Sequence, residues 1–193
     1  MKKAEECRNR IIEETIQLIQ SSKGNIEEIT IRAIAERAGV GVGLVNYHFK
    51  SKEQLIELCV QQIISKVIAA FRPDVDRELQ PVEHLRTVSR LVMDFLMENP
   101  SVSRISILGD YRNPGPADNT MKTILGFSGS LAGSRIPEER KKILLFSFVS
   151  ALQAAFLRKD IGKACYGIDF NRKEERDRYI DLIINQFFKE EII

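Results

Sequence analysis

The sequence predicts an all-α chain: an N-terminal three-helix unit, a long connecting helix, and a larger C-terminal helical domain. Three observations predict it. Apolar residues recur at three- and four-residue spacing, and β-type alternation is not sustained anywhere. Helix caps and Gly or Pro stops punctuate the chain at regular intervals. The polar, proline-bounded run RPDVDRELQP at 72–81 divides it, giving an N-terminal domain over 1–52, a connecting helix over about 52–71 and a C-terminal domain over 72–193.

Ile12, Ile16 and Ile19 line one face of a first helix over about residues 4–21, which Gly24 and Asn25 end. Thr30 is placed to cap a second helix, with Ile29 and Ile34 as a hydrophobic staple, running to about Ala38. Gly39 sits where a helix end wants a left-handed residue, and a third helix follows over about Val42 to Phe49. Ser51 and Gln54 read as a capping box for the long helix, with Leu55, Cys59 and Ile63 on one face. Beyond the divide, helices are expected at about 81–98, 100–111, 117–132, 137–160 and 172–190. Pro137 starts the fourth of these, Gly162 to Phe170 forms a break, and Asn171 with Glu174 boxes the last.

Composition narrows the function classes. The 193 residues are 44% hydrophobic and 29% charged with a net charge of +2, which suits an ordinary globular protein. Residues 1–52 hold nine Lys or Arg against seven Glu, so a nucleic-acid partner must be argued from geometry and not from bulk charge. Cys7, Cys59 and Cys165 are far apart with no CxxC pair, and are expected to be reduced packing residues, with no metal site. The mixed-charge N-terminus is unlike a signal peptide and no stretch suits a bilayer, so the expected location is cytoplasmic, without a membrane partner. An enzyme would need a clustered nucleophile, base or metal set, and neither His84 nor His48 has an evident partner. No catalytic residue is assigned, and no cofactor.

The second and third helices have the makings of a helix-turn-helix. Two helices that cross tightly need a small residue inside the first and a glycine in the turn, demands met by Ala35 and Gly39. Ile31, Ile34, Ala38, Val40 and Val45 are then available to pack inward, leaving Arg32, Val42, Leu44, Asn46, Tyr47 and His48 outward. Any small helical bundle contains such a pair, so these residues alone leave DNA reading and plain packing equally open.

The longer run ITIRAIAERAGVGVGLVNYHFKSKEQL, residues 29–55, resembles the DNA-binding segment of the TetR family of bacterial repressors, down to Tyr47-His48-Phe49 and Lys50-Ser51-Lys52-Glu53. With the first helix, the resemblance covers about residues 8–58. It implies a regulator, expected to be a repressor, that binds a palindromic operator in double-stranded DNA as a homodimer and is released by a small-molecule inducer. It also implies phosphate contacts by Thr30, Arg32, Tyr47, His48, Lys50 and Lys52, and base contacts by Val42, Leu44 and Asn46. His48 has an alternative as a structural histidine under Phe49, and Leu44 as a packing residue. Two departures stand out: Gly41 where the family often has a capping serine or threonine, and Asn46 where it often has an aromatic. Gly43 should cost the short helix about 1 kcal/mol relative to alanine, which close approach to DNA or to a neighbouring helix would explain.

The resemblance makes the two most apolar late segments, 143–157 and 178–193, a four-helix dimer interface, with Phe148, Leu152, Phe156, Ile180, Ile184 and Phe187 as its core. Burial inside one subunit is the alternative. Helices over about 81–132 are expected to enclose an apolar or amphipathic ligand, with Ser89, Met93, Met97, Arg104, Tyr111, Met121, Phe127 and Gln153 as candidate lining. Ser89 has the alternative of bonding back to its own helix, and Gln153 of pairing across the interface. Gly126, Gly129 and Gly133 weaken the helix that carries them, so mobility is expected there. The competing function is a helical ligand-binding or adaptor protein that keeps the helix-turn-helix only as scaffold.

Overall fold

The computed structural model describes residues 2–70 and 79–188. It is helical throughout, with no strand among the described residues. The helices are α1 (Lys2–Ser21), α2 (Ile31–Arg37), α3 (Val42–His48), α4 (Lys52–Ala70), α5 (Pro81–Glu98), α6 (Pro100–Arg112), α7 (Asn119–Ser130), α8 (Glu138–Leu157), α9 (Gly162–Tyr166) and α10 (Lys173–Phe187). A single 3-10 turn, Ile26–Glu28, stands between α1 and α2. The chain forms two compact units, one of residues 1–72 and 99–109, the other of 73–98 and 110–193. Most of the polar segment 72–81 and the predicted C-terminal extension of the last helix lie outside the described residues.

In the first unit α1 packs on α4, on α2 and on α3. The core is aliphatic: Ile11, Ile12 and Ile19 of α1 meet Ile34 and Ala35 of α2, Val45 of α3, and Leu55, Ile56, Cys59 and Val60 of α4. Val102 and Ile105 from the first turns of α6 complete it. On the same helix Arg104 lies against the turn after α1, where a Cβ at Gly24 would meet its side chain at 2.8 Å. The buried Thr15 hydroxyl donates to Ile11 O at 2.7 Å, so a polar group enters this core already satisfied. Burial raises the Cys59 thiol to about 12, leaving it inert. Only Cys59 is a fully packed cysteine. Cys7 is half-buried, and Cys165 is exposed, contrary to the packing role expected for it.

The second unit brings together α5, α7, α8 and α10. Phe148 of α8 is its aromatic centre, with ring centroids 5.7 Å from Phe127 and 5.8 Å from Phe188. Charge joins α5 to α10 alongside this core. Arg86 and Arg90 both reach Asp181 at 2.7 Å. Asp94 accepts from Arg176 at 2.8 Å and from Lys173. The buried Arg176 guanidinium also donates to the carbonyls of Phe170 and Asn171, which ties the start of α10 to the chain before it.

Local chemistry shifts several predicted boundaries. The predicted break at 162–170 contains α9, a helix too short to leave a periodic pattern. Gly162 permits it, since a Cβ there would sit 2.4 Å from the Phe170 ring, and Phe170 is thereby buried. The expected Asn171–Glu174 box does not form, because Arg172 is the N-cap and has no side-chain cap bond. Instead the Asp169 carboxylate accepts from Asn171 N at 3.1 Å, and Glu175 accepts from Asp169 N at 2.7 Å. Farther back, α7 starts at Asn119 because the Asp118 carboxylate caps Met121 N at 2.8 Å.

Burial by itself would raise the Asp94 carboxyl, but hydrogen bonds and charge from Lys173 and Arg176 outweigh it and hold Asp94 below the usual carboxylate range. A depressed folded-state value stabilises the fold fully above the unfolded value of about 4, and that stability drains away as pH falls through the folded one. Asp94→Asn is therefore expected to lower stability at neutral pH by about 1–3 kcal/mol, since Arg176 keeps its burial and loses its anion. Urea titrations at neutral and acidic pH should show a smaller acid loss in the variant than in the parent.

Candidate nucleic-acid interface

The α2–α3 pair is built by caps and by one glycine. Thr30 ends the preceding turn in an extended conformation and its Oγ1 accepts from Ala33 N at 3.1 Å, with Ile29 and Ile34 both buried as the staple requires. Nine residues after Thr30, Gly39 adopts φ +60, a conformation that favours glycine. Its N–H donates to Glu36 O, and Val40 N to Ala35 O, so the end of α2 is satisfied while the chain reverses. Ile34, Ala35, Ala38 and Val45 are buried beneath the turn. Glu14 of α1 pairs with Arg37 at 3.1 Å and fixes α2 from outside.

Of the six residues predicted to face outward, Arg32, Val42, Leu44, Asn46 and Tyr47 do so. Val42 and Leu44 are 42% and 46% exposed, Tyr47 is 79% exposed, and Arg32, Asn46 and Lys50 are exposed. Thr30 is exposed too, and the hydroxyl oxygen that caps α2 leaves its O–H available as a donor. His48 is half-buried between two rings, edge-on to Tyr47 at 5.2 Å and tilted to Phe49 at 6.3 Å. It thus takes part in packing as well as surface, which joins the two roles set against each other in the sequence. Gly41 is the N-cap of α3 without a side-chain cap bond, as its missing hydroxyl dictates.

Two supports of this surface left no mark in the sequence. Lys52 donates from Nζ to Ile26 O at 3.1 Å, tying the start of α4 to the turn before α2, so this lysine positions the head besides offering its remaining donors. The Arg8 guanidinium stands over the Phe49 ring at 5.4 Å. Both pairings join residues far apart in the chain, and local spacing carries no signal for either.

In the second unit the predicted ligand residues scatter. Met93, Phe127 and Gln153 are buried, Met97 and Met121 half-buried, and Ser89 donates back to Leu85 O at 2.6 Å, the alternative noted for it. Gln153 Nε2 donates to Thr120 Oγ1 at 2.8 Å, and Thr120 Oγ1 donates to Asp110 at 2.8 Å. The buried Gln153 Oε1 has no hydrogen-bond partner among the described residues. Arg104 and Tyr111 do not join this set: both are exposed, and Arg104 belongs to the first unit. A small pocket of about 60 Å³ lined by Ile136, Leu144, Phe187, Phe188, Arg135 and Arg140 contains none of the predicted ligand residues.

The predicted dimer residues take the alternative of burial inside one subunit in the single chain. Phe148, Leu152, Phe156, Ile180 and Ile184 are buried within the single chain, and Phe187 is half-buried. One bundle core suffices to cover them. The same two helices expose a different face, with Ile143 at 63%, Phe146 at 58% and Leu182 at 62%.

Residues 11–59 match the family profile described as bacterial regulatory proteins, tetR family. Among curated proteins, the nucleoid occlusion factor SlmA of Vibrio campbellii is 28% identical over 98 residues, covering 51% of this chain and 50% of that protein. The SlmA of Photobacterium profundum matches to the same extent. The chain thus spans about half the length of the curated relatives it matches. Solved structures agree over nearly the whole chain. A TetR transcriptional regulator from Rhodococcus sp. RHA1 gives a TM-score of 0.61 at 18% identity, covering 95% of this chain and 97% of that one. A TetR-family regulator from Haemophilus influenzae gives 0.58 at 19% identity, covering 96% and 98%. At such identities the likeness is one of fold.

Thr30→Ala removes the α2 cap and is expected to destabilise the protein by about 1 kcal/mol. Thr30→Ser, which keeps the oxygen, should recover most of that in chemical denaturation.

Proposed function

Because residues 11–59 match the profile of the tetR family of bacterial regulatory proteins, we propose that this chain is a repressor that binds a two-fold-symmetric operator as a dimer and is released by a small molecule. The observation that carries the reading is the outward face of α3. Val42, Leu44, Asn46 and Tyr47 are held exposed on a helix whose buried side is locked to α1 and α2, an unusual use of apolar surface unless a partner covers it. Residues 38–52 contain no carboxylate, whereas Arg32, Lys50 and Lys52 are at hand for phosphates. Thr30, Arg32, Tyr47, His48, Lys50 and Lys52 position the duplex in this reading, and Val42, Leu44 and Asn46 read bases.

A seven-residue recognition helix discriminates few base pairs, so specificity calls for two copies reading half-sites about 34–36 Å apart, or a multiple of that. The face available for pairing is the exposed one of α8 and α10, with Ile143, Phe146 and Leu182 at its centre. For the ligand, the buried and unpartnered Gln153 Oε1 is the polar group with most to gain from a donor on a guest molecule. An inducer acts to the extent that it binds the DNA-free arrangement more tightly than the DNA-bound one. A second reading follows from the relatives named nucleoid occlusion factors: a DNA-binding factor that acts on the nucleoid as a whole and not at one promoter.

Affinity for the preferred duplex is expected to fall by at least about 10³-fold between about 50 and 200 mM salt. Chromosome-wide mapping of bound sites separates the readings, since a repressor concentrates at a few promoters and an occlusion factor distributes along the chromosome. Phe146→Glu should yield monomers in sedimentation and abolish tight binding to the two-half-site duplex without unfolding the chain.

A further inference from the structure

The outward face of α3 has a shape as well as a chemistry. At about 100° per residue, Gly43 and Tyr47 stand opposite the buried Val45, with Val42 and Asn46 on one shoulder and Leu44 on the other. The two apolar shoulders therefore flank a helix surface that, at Gly43, is bare backbone. Nothing among the described residues asks for that. A Cβ at Gly43 meets no atom within 4 Å, and Gly43 is not among the glycines with positive φ. Neither space nor dihedral angle excludes alanine, which favours a helix. The requirement lies outside the described chain, in whatever covers this face.

The chemistry of the face narrows what that is. The segment VGLVNYH contains no Arg, Lys or Gln, so the common bidentate contact to guanine cannot come from this helix. Its exposed base-directed groups are two branched aliphatic side chains and one amide. Branched aliphatics match the C5 methyl of thymine, and asparagine matches the N6 and N7 edge of adenine. The absence of carboxylates over residues 38–52 suits a polyanion at close range.

We propose that Gly43 is a clearance position that lets α3 lie against the floor of the major groove, so that Val42 and Leu44 contact thymine methyls while Asn46 pairs with adenine. The partner is then duplex DNA whose half-sites are rich in T·A pairs where α3 enters. This rests on the DNA-binding reading above and specifies what the helix reads.

The test uses the full chain and the duplex it selects from random DNA. Gly43→Ala is expected to raise the melting temperature by about 2–4 °C and yet bind that duplex about tenfold more weakly. Deoxyuridine in place of a contacted thymidine removes only the methyl group and should weaken the parent by about fourfold per site. Leu44→Ala or Val42→Ala, both at exposed positions, should each lose that sensitivity at one site. The inference is overturned if Gly43→Ala binds as tightly as the parent, or if it melts lower, which would give the glycine a role in the fold. Indifference of a preferred duplex to uracil, or selection of G·C pairs opposite α3, overturns it while leaving the DNA-binding reading intact. Failure to select any duplex overturns both.

Discussion

The head depends on the tight crossing of α2 and α3. That crossing needs Ala35 small enough for close approach and a chain reversal within the four residues 38–41, which Gly39 makes possible at φ +60. With the turn made, Ile34, Ala38 and Val45 fall into one aliphatic core with α1 and α4, and the remaining side of α3 has nowhere to go but outward. Exposure of Val42, Leu44 and Tyr47 is thus a consequence of how Val45 is buried. A seven-residue helix is marginal alone, so its orientation is set by this packing and by the pins around it: Thr30 on Ala33 N, Lys52 on Ile26 O, and Arg8 over Phe49.

The second unit is organised by a different balance. Its core is aromatic around Phe148, and beside it α5 and α10 are joined by paired charges, with Asp181 between two arginines and Asp94 between Lys173 and Arg176. Such pairs add modest net stability because desolvation opposes attraction, but removing one partner leaves the other stranded. They therefore act chiefly to set which faces of α5 and α10 meet. The Asp110, Thr120 and Gln153 chain does likewise for the start of α7 and for α8, and leaves one amide oxygen unsatisfied in the interior.

The helix-turn-helix was legible in the sequence because every determinant is local. Cap, staple, small residue, left-handed glycine and buried valine all lie within Ile29 to Phe49, and spacing alone assigns them. Legibility failed where two determinants competed within a few residues. At the start of α10 Asp169 holds Asn171 in a turn, so Arg172 takes the cap position that the Asn171–Glu174 spacing suggested. It failed again for surfaces. A helix apolar on most sides announces burial without saying by what, and Phe148, Leu152 and Ile184 proved to be covered by their own chain.

By itself, then, the sequence determined the helical class, the order of helices and the residues of the helix-turn-helix, since these follow from periodicity, caps and turn residues acting over one or two turns. The tertiary structure alone decided which apolar faces of α8 and α10 remain outside, that α6 begins in the core of the first unit, and that Lys52 and Arg8 brace the segments flanking α2 and α3. Those outcomes depend on contacts between residues tens of positions apart. Spacing along one helix assigns a side chain to a face, and only the assembled neighbours decide whether that face meets protein or water.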